Sequence, residues 1–102
     1  MDVYLIQHAQ SKAKEEDPNR PLADEGRRAI ERVAVHYAKL NVVLDRMYHS
    51  GKLRAEETAE ILAKQLKITD RVHARAGLDP LDDVKPIRDW LGELGQEGLR
   101  AI

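Results

Sequence analysis

The chain contains no cysteine, which excludes disulfides, thiolate catalysis and cysteine-ligated zinc. It has no phenylalanine, and aromatics make up 4% of its 102 residues, so the core must be built mainly from Leu, Ile, Val and Ala. Neither sign of charge dominates. The 17 basic and 18 acidic residues leave a net charge of -1, and no whole-chain field draws in nucleic acid or anionic lipid. No apolar stretch approaches the roughly 20 residues needed to cross a bilayer. Met1–Tyr4 lacks the basic segment and apolar run of a signal peptide. The four histidines form neither an H-x-H nor an H-E-x-x-H pattern, so no zinc site is expected. These absences are compatible with a cytoplasmic protein, and no metal, other cofactor, nucleic-acid partner or membrane partner is expected.

What remains is an ordinary globular composition, 42% apolar and 34% charged, at a length that suits one domain with one modest core. Val3–Ile6 is a short apolar run followed at once by polar residues, and reads as a buried strand. Ala9 to Pro21 reads as a polar loop. Helical spacing begins near Asp24, with Ile30, Val33, Tyr37 and Leu40 on one face and Asn41 as the break. Arg46–Tyr48 is a second strand. A second helix follows, with Ser50 as its N-cap and Ala55, Ala59, Leu62 and Leu66 on one face. Val72 to Ala76 is a third strand. A third helix follows Asp82 and Asp83, with Pro86 in its first turn and Val84, Ile87, Leu91 and Leu94 on one face. Alternating strand and helix predicts an α/β domain, a three-layer sandwich with a largely parallel central sheet and flanking helices. Leu99–Ile102 begins like one more strand, so the chain is expected to be a fragment that stops before the last strand–helix units.

His8 follows the first strand directly, and ligands of open α/β sheets bind at the carboxyl ends of strands. A neutral imidazole attacks phosphorus when one ring nitrogen is free and a hydrogen bond holds the other. A lone histidine at a strand end is more often structural. Arg54 strengthens the case, because it falls in the first turn of a helix after strand two, where free N–H groups and a planar guanidinium suit phosphate oxygens. Arg20, in the loop after strand one, is a candidate to join it. His49 stands at the end of strand two, either at a pocket rim or as a plain strand-end residue. His36 reads as an exposed helix position and His73 as a strand-surface residue. Asp79 and Asp82 are candidate proton donors to a leaving group, although capping the third helix is the plainer role for Asp82 or Asp83.

Four segments stand out: Asp17-Pro18-Asn19-Arg20-Pro21-Leu22 followed by Asp24-Glu25-Gly26-Arg27, Ser50 to Ala59, Gln7-His8-Ala9, and Leu78 to Asp83. They resemble, in turn, the D-x-x-R-P-L-T-x-x-G-R, S-P-x-x-R-A-x-Q-T-A, R-H-G and L-x-P-x-x-D segments of SixA-type phosphohistidine phosphatases, in the histidine phosphatase (phosphoglycerate-mutase-like) superfamily. The resemblance implies that the histidine matching His8 becomes phosphohistidine, which water then cleaves. It also implies that arginines matching Arg20 and Arg54 hold the phosphoryl oxygens without a metal. The implied partner is a phosphorylated protein such as a histidine phosphotransfer domain, or a small phosphorylated substrate.

Three departures from the pattern matter. Gln7 stands where the family has its first phosphate-binding arginine, and donates a hydrogen bond without charge. Ala9 replaces Gly, and Gly51 replaces Pro. In the family the second histidine sits in a G-H-x-P turn after a strand that Leu99–Ile102 would begin, and that turn is absent from these 102 residues. Two readings stay open: a phosphatase acting through His8, and a non-catalytic module of the same fold that binds phosphate or a phosphoprotein.

Overall fold

The computed structural model describes residues 3–78 and 82–96. Its elements follow the order α1 (Asp24–Lys39), β1 (Met47–His49), α2 (Leu53–Leu66), a short 3-10 turn (Thr69–Arg71), β2 (Val72–Ala74) and α3 (Lys85–Gln96). β1 and β2 pair in parallel, Met47 with Val72, Tyr48 with His73 and His49 with Ala74. The Arg75 N–H extends the ladder one step beyond β2, donating to the His49 carbonyl at 2.8 Å. Successive side chains of a strand point to opposite faces. Met47 enters the core shared with α1 and α2. Tyr48 meets Trp90 of α3 edge-on at 4.6 Å between ring centres. The sheet thus lies between α1 and α2 on one side and α3 on the other, the expected α/β layering.

The core is aliphatic, as the scarcity of aromatics demands: Leu22, Ile30, Ala34, Leu44, Met47, Ala59, Leu62, Ala63 and Ile68. Fully burying one such Leu or Ile stabilises the fold by about 1.5–3 kcal/mol. The buried stripe of α1 runs Gly26, Ile30, Ala34, in steps of four. Val33 and Leu40, expected on that stripe, are 40% and 59% exposed, because they sit at its edge and beyond its end. α1 ends as expected at Asn41, whose φ of 56° is the left-handed turn that Asn tolerates after a helix. α2 buries Thr58, Ala59, Leu62 and Ala63. In α3, Leu94 is buried, while Val84 precedes the helix and is exposed.

Two further expectations are corrected. Val3–Ile6 is not a buried strand: Leu5 is 90% exposed, and the segment forms no ladder with β1. A strand needs a neighbour at about 4.8 Å, whereas this segment and β1 face a shared cavity. Ser50 is not the cap of α2. Gly51 turns the chain at φ 91°, a value closed to the proline the family carries there, and the helix starts later, after Lys52. Ser50 Oγ accepts only a long bond from the Lys52 N–H, at 3.4 Å. The expected strand at Leu99–Ile102 lies outside the described residues. Among those described, no helix is long and apolar enough to cross a membrane.

Candidate functional site

The Ala9–Pro21 segment is a loop closed at its base. Ala23 donates to the Gln10 carbonyl at 2.9 Å and Lys12 to the Pro21 carbonyl at 2.8 Å. α1 starts directly against this base. A Cβ placed on Gly26 would lie 2.1 Å from the Gln10 carbonyl oxygen, so only glycine allows the helix to approach so closely. Two consecutive side chains of α2 then take up the loop's ends. Glu57 Oε1 accepts the Leu22 N–H at 2.9 Å, and its other oxygen takes Arg27. Thr58 Oγ1 accepts the Ala9 N–H at 3.1 Å.

This bracing sets His8 on the wall of a cavity of about 500 Å³. Its polar lining includes Gln7, His8, His49, Lys52, Arg54 and Thr58, and Ile6, Leu44 and Met47 are among its apolar walls. His8 is half-buried and Gln7 exposed. The Nδ1 of His8 lies 2.7 Å from the Ala9 carbonyl oxygen. A carbonyl only accepts, so in the neutral ring Nδ1 carries the proton and Nε2 keeps its lone pair. Such a ring is a nucleophile at Nε2.

Arg54 is the second residue of α2 and half-buried. In the first turn a cation opposes the helix dipole, a cost that an anion bound there reverses. The N–H groups of that turn have no carbonyl one turn earlier within the helix to bond. His49 lines the same cavity, and its Nδ1 accepts the Gly51 N–H at 3.0 Å. In the neutral ring its proton therefore sits on Nε2.

Arg20 is not brought to this cavity among the described lining residues. It is half-buried at φ 49°, its Nη2 donates to Ser11 Oγ at 3.2 Å, and its Nε is buried with no hydrogen-bond partner among the described residues. Asp82 is exposed and outside the described lining. Its neighbour Asp83 takes the capping role, Oδ1 accepting the Lys85 N–H at 3.0 Å. Asp79 lies outside the described residues. His36 is exposed on α1 and His73 exposed on β2, as read from the sequence. Among the described residues there is no group of three or more His, Cys, Asp or Glu side chains that would hold a metal ion. Sequence reasoning assigned no role to Glu57 or Thr58. The only signal was their position inside the Ser50–Ala59 stretch.

The family model described as "Histidine phosphatase superfamily (branch 1)" matches residues 3–82. Among curated proteins, the chain is 30% identical over 98 residues to serine/threonine-protein phosphatase PGAM5, mitochondrial, of Rattus norvegicus and of Mus musculus. The Drosophila ananassae protein of that name is 26% identical over 100 residues. Each alignment takes in 92% of this chain and 34% of the relative, so the chain spans about a third of their length. The solved structure of the protein histidine phosphatase SixA complexed with tungstate matches with a TM-score of 0.90 at 26% identity, over 99% of this chain and 65% of that one.

Proposed function

This chain belongs to the histidine phosphatase superfamily (branch 1), and we propose that it is part of a single phosphatase domain in which His8 accepts the phosphoryl group. The observation that carries this reading is the His8 ring, held at Nδ1 by the Ala9 carbonyl with Nε2 left to attack, on a cavity wall shared with Arg54. Nε2 forms a bond to phosphorus as the bond to the leaving group breaks. Water then attacks the phosphohistidine, releasing phosphate and returning the electron pair to Nε2. Arg54 and the first-turn amides of α2 offset the charge that builds on the equatorial oxygens. Gln7 contributes a neutral amide at the rim. His49, with its proton on Nε2, is the rim residue best placed to protonate the leaving group. Asp79 and Asp82 are the acidic alternatives. Arg20 would serve through its unpaired Nε–H, and reaching the cavity requires a shift away from Ser11.

Protein-borne phosphohistidine is the proposed substrate. The structural match is named a protein histidine phosphatase, and the curated relatives are named protein phosphatases for serine and threonine. A cavity open at the Gln7 rim suits a phosphorylated side chain presented on a protein surface, with a histidine phosphotransfer domain as the proposed partner. Gln7, exposed and uncharged, favours a second reading, a module that binds phosphate or a phosphoprotein without turnover. The deciding experiment incubates full-length protein and His8→Ala with a phosphohistidine-bearing protein. Phosphate release with transient acid-labile labelling, abolished in His8→Ala, is expected. Equal hydrolysis by both proteins overturns the mechanism, and saturable binding with no release selects the second reading.

A further inference from the structure

We infer that Thr58 is a positioning residue for the nucleophile: its hydroxyl ties the backbone that sets the His8 ring to the helical turn that carries Arg54. The inference rests on the reading of His8 as phosphoryl acceptor.

Thr58 is a buried polar residue of the core side of α2, 4% exposed. Its Oγ1 lies 2.7 Å from the Arg54 carbonyl and 3.1 Å from the Ala9 nitrogen. A hydroxyl has one proton to give, and the Arg54 carbonyl can only accept. The proton therefore points to Arg54, and a lone pair faces the Ala9 N–H. No other orientation satisfies both neighbours. The Ala9 carbonyl in turn accepts from His8 Nδ1 at 2.7 Å. Ala9 is thus held at its N–H by Thr58, and with its carbonyl it holds the imidazole. One continuous run of hydrogen bonds leads from the Arg54 backbone through Thr58 and Ala9 to the ring that attacks.

A helical threonine bonding back to the carbonyl four residues earlier is a local feature with little consequence by itself. Here the same oxygen also receives an amide 49 positions away in sequence, which makes it a junction between two segments. Removing the hydroxyl leaves the half-buried Ala9 N–H unpaired and frees the residue whose carbonyl selects the His8 tautomer. The nucleophile and the arginine turn then lose their common reference.

The test uses the full-length protein with nitrogen-15-labelled histidine, phosphoramidate as substrate, and the variants Thr58→Ser and Thr58→Val. Long-range proton–nitrogen spectra read which ring nitrogen of His8 is protonated, independently of turnover. Wild type and Thr58→Ser are expected to show the proton on Nδ1. Thr58→Val is expected to show a mixture of tautomers and a kcat lower by roughly 10- to 100-fold with KM little changed. A folded Thr58→Val with an unchanged ring spectrum and kcat overturns the inference. If Thr58→Val does not fold, amide exchange in the wild type decides, since protection of the Ala9 amide supports the bond and free exchange refutes it. A wild-type protein without turnover defeats the phosphatase reading alone, because the ring spectrum still reports whether Thr58 sets His8.

Discussion

Glu57 on α2 accepts the backbone N–H of Leu22 at 2.9 Å, across 35 positions of sequence. Its other carboxylate oxygen takes the Arg27 guanidinium, so one side chain pins the end of the loop that begins beside His8 to the start of α1. Leu22 is 3% exposed, which leaves its N–H no solvent to turn to. Glu57→Ala is therefore expected to destabilise the protein by about 1–3 kcal/mol. The Arg27 side chain is 43% exposed, and Arg27→Ala should cost less than about 1 kcal/mol. Urea unfolding of both variants measures the difference, and equal losses would remove the Leu22 bond from the account.

Gly26→Ala places a methyl group 2.1 Å from the Gln10 carbonyl oxygen, a backbone atom that cannot swing aside as a flexible side chain would. The start of α1 and the loop base must separate. The expected cost is about 1–3 kcal/mol, the range for overpacking, although alanine is otherwise the better helix former. Thermal unfolding reads the stability, and an unchanged or raised midpoint would show that the two segments do not approach so closely.

Arg54→Ala removes the guanidinium from the cavity while leaving α2 a residue it favours. Turnover is expected to fall about 100- to 1000-fold, as when a preorganised donor to a developing negative charge is lost. Arg54→Lys should recover only part of this, because an ammonium keeps the charge without the planar fork. Steady-state kinetics on phosphoramidate compares them, with circular dichroism to confirm the fold. Full activity in Arg54→Lys would mean that charge alone matters there.

Gln7→Arg adds a cation at an exposed position of the rim without disturbing the core. Tungstate affinity is expected to rise about tenfold, equivalent to about 1.4 kcal/mol. Isothermal titration at fixed salt measures it. No gain in either binding or turnover would deny position 7 any part in the site.

Much of the framework was legible from the residues. Asn41 marks the end of α1, Asp83 the start of α3, and the segments Arg46–Tyr48 and Val72–Ala76 the two paired strands, because such signals act within one turn or one strand. His8 and Arg54 were legible as candidates from the segments around them, and they do line one cavity with Gln7 and His49. Arg20 was equally visible in sequence, yet its side chain bonds Ser11 within its own loop. A spacing pattern carries no information about which way a loop arginine turns.

Residue order and type were enough for the α/β alternation from α1 to α3, the aliphatic core and the identity of the groups available for chemistry. Periodicity and residue type are local properties, and they survive in a chain read one window at a time. Three outcomes came from packing in three dimensions: Val3–Ile6 forms no ladder with β1, Gly26 meets Gln10, and Glu57 and Thr58 brace the loop behind His8. Those outcomes depend on side chains meeting backbone groups 35 and 49 positions away. The orientation of the His8 ring is of the same kind. Its proton is placed by the Ala9 carbonyl, and the place of Ala9 is set by a threonine on a distant helix.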